Sequence, residues 1–245
     1  MLATASEMKN GFGKYLKHVV EESGEVVITK NNVRVARLVP YVSDLEKYFS
    51  VHEHAAVYDY NKKTVSYEEF MEIYEKSDVR MEYINGEIYV LGSPSYSHQA
   101  ILGNLHITFR EFFTEKKCKV LMAPFDVHFN KQDIDVPDVM QPDLLVLCDL
   151  ENNINEKDRY RGIPTLTLEI LSSSTRSVDM VLKLNTFMAS GVSEYWIVDP
   201  KNQRITIYTF VEFQVDQVEH YKPGEIVKSV TFDGLAAEVS TIFEI

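Results

Sequence analysis

Two carboxylates stand where a charged side chain needs a reason. In the run Thr165–Leu171, TLTLEIL, Glu169 interrupts an otherwise apolar strand pattern. A glutamate there is costly unless it is paired or bound to a metal. Period-two alternation puts Leu166, Leu168 and Ile170 on one face, and Thr165, Thr167, Glu169 and Leu171 on the other. Asp143 follows Pro142 and opens the preceding apolar run, LLVL. Neighbouring strands lie ~4.8 Å apart, so the two carboxylates can share one cation. Mg²⁺ suits such a pair, because it takes one or two carboxylates together with waters and a phosphate oxygen; Mn²⁺ fits the same oxygen ligands. A cation so held lowers the pKa of a bound water and neutralises charge developing on a phosphate. Asp138 also follows a proline, but no apolar run follows it as LLVL follows Asp143. Hydrolysis also favours a cationic side chain nearby. Lys183 flanks a helical stripe of Met180, Leu184 and Phe187, and a lysine at the rim of a buried face can reach into a site. Asp179 and Lys183 can equally form an ordinary i,i+4 ion pair, which spacing by itself favours.

The elements that would carry these residues can be read along the chain. A helix is expected near Ser66–Glu75, followed by a hairpin over Arg80–Leu91 turning at Asn85-Gly86. That turn sets Glu82 opposite Tyr89, with Met81, Tyr83, Ile88 and Val90 sharing one face. An amphipathic helix over Ser97–Phe113 has Ile101, Leu102, Leu105, Phe109, Phe112 and Phe113 as its apolar stripe, with His98 on that stripe in the first turn. Strands follow at Val120–Phe129, Asp143–Asp149 and Thr165–Leu171. A helix over Ser177–Ser190 stops at Gly191, and a strand over Glu194–Val198 is closed by Asp199-Pro200. From Arg204 the pattern reads as further strands. Helices set between strands predict a layered, mixed sheet. Ahead of all this, residues 4–22 read as a helix with Phe12, Leu16 and Val19 at helical spacing and Gly24 at its stop. A hairpin over Glu25–Thr29 and Val33–Val39 follows, joined by Lys30-Asn31-Asn32 and ended by Pro40. Residues 43–64 show no clean period and read as a linker.

Bulk properties narrow the function classes. The 245 residues are 45% apolar and 25% charged, as in a globular protein. No apolar run approaches the ~18 residues of a membrane span, and the first residues lack the apolar core of a secretory signal; a cytoplasmic protein is expected. Cys118 and Cys148 form no CxxC or zinc-ligand pattern, so both are expected as buried free thiols. The net charge of −12 argues against a nonspecific, salt-driven nucleic-acid coat. It does not exclude a nuclease, whose metal site needs carboxylates. Charge is uneven: residues 1–50 carry 7 basic and 6 acidic residues, and the remainder carries 18 and 31. P-loop, GxGxxG, GxSxG and HExxH patterns are absent from the sequence.

Two resemblances add to this reading. The run ATASEMKNGFGKYLKHVVEESGEVVITKNNVRVARLVPY resembles the Phd/YefM antitoxin family, which implies a small α+β module, over residues 1–42, of a kind that dimerises and binds operator DNA. A different segment follows where that family has its toxin-neutralising tail. From about Ser66 onward, MEYINGEIYVLGSPSYSHQ, PDLLVL and LTLEILSSSTRSVDMVLKLNTFMASGVSEYWIVDP resemble the Uma-type restriction-endonuclease family of the PD-(D/E)xK nuclease superfamily. The resemblance implies an α/β (α+β) restriction-endonuclease-like mixed sheet flanked by helices over residues 65–245. It also implies an active site of Asp143, Glu169 and Lys183, with Glu82 completing a metal-binding carboxylate cluster. It includes His98, either orienting a carboxylate, contacting phosphate, or simply hydrogen-bonded at its helix start. Arg176 is a weaker phosphate-contact candidate, and Tyr195 and Trp196 read as core aromatics. The superfamily's Glu-x-Lys is Glu169-Ile170-Leu171 here, so the lysine must come from the next helix. The implied protein is a Mg²⁺-dependent DNA endonuclease, and a homodimer, since cutting both strands takes two sites. RNA or a small phosphodiester remains an alternative substrate, and a catalytically silent, DNA-binding regulator an alternative role.

Overall fold

The computed structural model describes residues 2–21, 26–30, 33–38, 64–132, 134–156, 159–172 and 178–245. Gly24, Asn31-Asn32, Pro40, nearly all of the expected linker and Arg176 lie outside the described residues. The chain divides into two units, Met1–Tyr58 and Asp59–Ile245.

In the first unit, β1 (Leu2–Thr4) leads into α1 (Ala5–Glu21), and β2 (Val26–Lys30) and β3 (Val33–Leu38) form the expected hairpin. β1 pairs parallel with β2 and β2 antiparallel with β3. A reciprocal cap starts α1: the Glu7 carboxylate accepts from Thr4 N and Oγ1, both at 2.7 Å, and Glu7 N donates to Thr4 Oγ1 at 3.2 Å. The buried face of α1 differs from the expected stripe. Met8, Tyr15 and Val19 pack with Ala3 and Val26, whereas Phe12 and Leu16 are 49% and 42% exposed. The helix leaves helical geometry at Gly11 (φ −140°, ψ 30°). Past that kink Tyr15 and Val19 point inward, and Phe12 and Leu16 fall on the flank.

The second unit is layered. Its centre is a six-stranded sheet in the order β13 (Gln214–Tyr221), β12 (Arg204–Val211), β11 (Glu194–Asp199), β10 (Leu166–Ile170), β9 (Leu144–Leu147), β6 (Lys119–Met122). Only β10 and β11 pair in parallel within it. α3 (Tyr96–Phe112) covers one face. Its Ile101, Leu102, Leu105 and Phe109 pack on Leu144, Val146, Leu166, Leu168, Ile170 and Trp196. The other face, with Leu145, Leu147, Leu171, Tyr195 and Ile197, packs on Ile84, Val127, Phe129 and Met140. Those residues belong to an antiparallel four-stranded sheet, β5 (Glu87–Val90), β4 (Met81–Ile84), β8 (Asp138–Met140), β7 (Val127–Phe129), or lie on its rim. α2 (Tyr67–Glu75) backs that second sheet, burying Phe70 against Met81, Tyr83 and Ile88. α4 (Leu150–Asn153), α5 (Leu184–Ser190), the pair β14 (Ile226–Lys228) and β15 (Ala236–Glu238), and α6 (Val239–Ile242) complete the unit.

The β4–β5 hairpin has the expected register, Glu82 opposite Tyr89, and turns through Asn85 (φ 51°) and Gly86 (φ 86°), the left-handed pair of a type I′ turn. Two expectations are corrected and one strand is added. The strand expected over Val120–Phe129 is two strands in two sheets, β6 and β7, divided around Pro124, which has no N–H to give to a ladder. The segment of Asp138 is itself a strand, β8. Cys118 and Cys148 are not free thiols: they form a disulfide with S–S 2.06 Å. Lys119 pairs with Leu147 across the β6–β9 ladder, so the flanking cysteines meet through register, which a sequence separation of 30 does not disclose.

Candidate active site

The two central strands set the first two acidic groups. Glu169 faces away from Leu166, Leu168 and Ile170, as alternation requires, and is 4% exposed. Leu168 pairs with Leu144 in the antiparallel β9–β10 register, so the next step of the ladder brings Asp143 level with Glu169. The Asp143 carboxylate is held there through Oδ2, which accepts from Ile170 N at 2.8 Å. The same oxygen stands 3.1 Å from His98 Nε2. Ser95 caps α3 by accepting from His98 N at 3.3 Å, which fixes the turn from which the imidazole reaches Asp143.

Lys183 joins this group to the second sheet. Its Nζ donates to Glu169 Oε1 at 2.7 Å and to Glu82 Oε1 at 3.0 Å, and lies 3.5 Å from Asp179 Oδ1. Glu82 Oε1 also accepts from Gln141 N at 2.9 Å. Both readings that spacing left open for Lys183 are therefore realised together: it pairs with Asp179 at i,i+4 and reaches the strand carboxylates. The helix expected over Ser177–Ser190 opens as a π-helical turn, Val178–Lys183, before α5. Such turns recur at functional sites, and Lys183 is the last residue of this one. Asp179, read from sequence only as a salt-bridge partner, is 2% exposed and a member of the cluster. Its signal was the i,i+4 spacing.

Three carboxylates thus surround one ammonium, with Asp143 as a fourth acid beside Glu169, and the proton affinities follow. Burial, then the neighbouring Asp143, Asp179 and Glu82, push the Glu169 carboxyl well above the usual carboxylate range, with Lys183 opposing them. Burial works to lower the Lys183 amine, but Glu169, Glu82 and Asp179 outweigh it and hold it well above its ordinary value. Lys183 is therefore a firm ammonium, and the cluster carries excess negative charge. That excess is what a divalent cation relieves. Among the described residues, Asp143 Oδ1 and Glu169 Oε2 carry no hydrogen bond, which leaves each carboxylate one ligating oxygen. No group of three or more His, Cys, Asp or Glu side chains is already gathered at metal-ligand spacing among the described residues. Two carboxylates completed by solvent and phosphate are the donor set that magnesium takes, so the residues present fit such an ion.

The cluster opens into a cavity of about 1260 Å³ whose wall includes Arg80, His98, Gln141, Asp143, Glu169 and Lys183. Asp138, the second proline-preceded aspartate, stays outside it. Its Oδ1 accepts from Lys131 Nζ and Asn85 N, each at 2.8 Å, and its Oδ2 from Thr186 Oγ1 at 2.5 Å, a satisfied buried group that ties the hairpin turn to α5. Tyr195 and Trp196 are core aromatics, as expected.

Residues 67–240 match the model of the Uma2 family, described as "Putative restriction endonuclease". The chain belongs to the Uma2 family. Uma2 membership takes in every residue of the cluster. The chain is 24% identical over 145 residues to the uncharacterized protein slr1290 of Synechocystis sp., an alignment spanning 59% of this chain and 73% of that protein. Its fold is similar to the crystal structure of "a putative nuclease belonging to DUF820 from Anabaena variabilis ATCC 29413", with a TM-score of 0.58, 19% identity, and coverage of 73% of this chain and 97% of that one. The mixed α+β architecture is therefore that of a known fold, and the family description is nuclease-like.

Proposed function

We propose that this Uma2 protein is a Mg²⁺-dependent endonuclease that hydrolyses DNA phosphodiester bonds. The observation that carries the reading is the convergence of Asp143, Glu169 and Glu82 with Lys183 at one cavity. Asp143 and Glu169 hold the cation, with Glu82 as the third carboxylate of the set. When bound, the metal supplies an activated water and neutralises charge on the phosphate. His98 orients Asp143 through Nε2 and leaves Oδ1 for ligation. Lys183 keeps its proton, offsets repulsion among the carboxylates and faces the anionic transition state. Residues 1–42 serve as an antitoxin-like module, 43–64 as linker and 65–245 as the nuclease domain, in a cytoplasmic homodimer that brings two active sites to one duplex.

The test is nicking of supercoiled plasmid with Mg²⁺, Mn²⁺ or EDTA by wild type, Glu169→Ala and Lys183→Ala. Metal-dependent nicking lost in both variants supports the reading; nicking that persists in EDTA sinks it. One observation favours a second reading, a silent fold acting as a DNA-binding regulator. Lys183 already neutralises part of the cluster, and a salt-bridged cluster can persist without metal. DNA binding that survives Glu169→Ala, with no cleavage of DNA or RNA, would select it.

A further inference from the structure

Among the described residues, Arg80 is a cation without an acidic partner in a wall that holds Glu82, Asp143, Glu169 and Asp179. It lies at the entry to β4, two residues before Glu82, so strand alternation sends both side chains to the same face, and both line the cavity. Arg80 is half-buried. Its Nε donates to the neutral amide oxygen Gln141 Oε1 at 2.8 Å, and among the described residues it makes no ion pair. Lys183, by contrast, lies within 4 Å of three carboxylates. A guanidinium anchored through Nε keeps its Nη groups for a planar, two-point contact, the geometry that suits a phosphate.

The anchor is itself oriented. Gln141 Nε2 donates to Asp126 Oδ1 at 2.8 Å and to Tyr74 Oη at 3.2 Å, while Tyr74 Oη donates to both Asp126 oxygens at 2.8 and 2.9 Å. Burial and then the Asp126 carboxylate push the Tyr74 hydroxyl up to about 12, so it remains a donor. With Nε2 committed to Asp126, Oε1 is the end that faces Arg80. The backbone N of the same Gln141 holds Glu82. One residue therefore sets the distance between the free guanidinium and the carboxylate cluster.

We propose that Arg80 is a phosphate-binding residue, gripping a backbone phosphate of the nucleic-acid strand beside the one presented to Asp143 and Glu169, with Gln141 as its positioning residue. This rests on the nuclease reading for the identity of the ligand as a phosphodiester strand. The test measures binding of a fluorescein-labelled DNA duplex by anisotropy from 50 to 200 mM salt, with Ca²⁺ in place of Mg²⁺, beside cleavage kinetics in Mg²⁺. Each duplex phosphate contact contributes about 0.9 to the slope of log affinity against log salt. Arg80→Gln should lower the slope by about that amount, weaken binding on the order of tenfold and raise KM more than it lowers kcat. Arg80→Lys should keep the slope and recover part of the affinity. Gln141→Met should weaken binding with the slope retained, and it carries the test should Arg80→Gln fail to fold. A wild-type slope and KM in Arg80→Gln, while Glu169→Ala abolishes cleavage, overturns this inference and leaves the nuclease reading standing. Arg80-dependent binding with no wild-type cleavage does the reverse. Wild type that binds no duplex overturns both.

Discussion

Replacing Lys183 with methionine keeps the unbranched stem of the side chain, one atom shorter, and removes the ammonium from among Glu169, Glu82 and Asp179. All four groups are buried, so the loss leaves carboxylates without compensation. Removing one partner of a buried ion pair costs about 3–5 kcal/mol. At about 2–4 °C per kcal/mol for a domain of 150–250 residues, Lys183→Met should melt roughly 6–20 °C below wild type at pH 8. The pH dependence has a sign. Glu169 has a folded-state pKa raised above its ordinary 4.5, so its contribution to stability is present in full below 4.5 and is lost as pH rises through the raised value. Removing Lys183 removes the one influence that opposes the rise, so that loss grows in the variant. Lys183 itself, raised above 10.5, contributes in full below 10.5 and is lost only as pH climbs through its higher folded value, so wild type keeps the ammonium through neutral pH. The melting deficit of Lys183→Met, followed by circular dichroism from pH 5 to 9, should therefore shrink on acidification, and added Mg²⁺ should narrow it at pH 8. Equal melting temperatures at pH 8, or a deficit unchanged from pH 5 to 9, would refute the reasoning.

Other perturbations separate ligation from scaffolding. His98→Ala removes the group that orients a ligating carboxylate and should weaken Mn²⁺ binding by about 10–100-fold in calorimetry; unchanged affinity would remove His98 from the site. Asp138→Ala strands buried Lys131 and should cost about 3–5 kcal/mol of stability, with the Mg²⁺ requirement for cleavage unchanged. Cys118→Ser opens a cross-link spanning 30 residues, worth about 3–4 kcal/mol on chain entropy. Its melting temperature should drop and no longer respond to dithiothreitol, whereas wild type treated with dithiothreitol should fall toward it.

The layering of helices on a mixed sheet was legible because helical and strand periodicities are local signals. The Asn85-Gly86 turn, its register and the two faces of β10 follow from residue identity and alternation alone. The clustering of Asp143, Glu169, Glu82 and Lys183 was expected through family resemblance, and the structure brings these residues together. Periodicity could not have supplied it, because the contacts depend on which strands become neighbours. The same limit hid the Cys118–Cys148 bond. It also hid the difference between two glutamates in apolar strands. Glu194, fully buried, accepts from Trp196 Nε1 at 2.5 Å, Ser229 Oγ at 2.9 Å, and Val230 N and Thr231 N at 3.1 and 2.7 Å. Nothing in either strand's sequence tells this satisfied structural carboxyl group from Glu169, which shares one lysine with two other acids. The split of Val120–Phe129 and the π-helical turn arise where tertiary packing overrides a continuous local pattern.

The bridge from Glu82 to Lys183 closes a span of 101 residues. During synthesis, Glu82 and Asp143 emerge well before either Glu169 or Lys183, so a growing chain carries two acids of the site and neither of the groups that complete it. A fragment cut between Asp143 and Glu169 and then separated is in the same position. Whatever chemistry the site performs therefore switches on late, when the last third of the chain has been made and has docked. A half-made molecule lacks the assembled site.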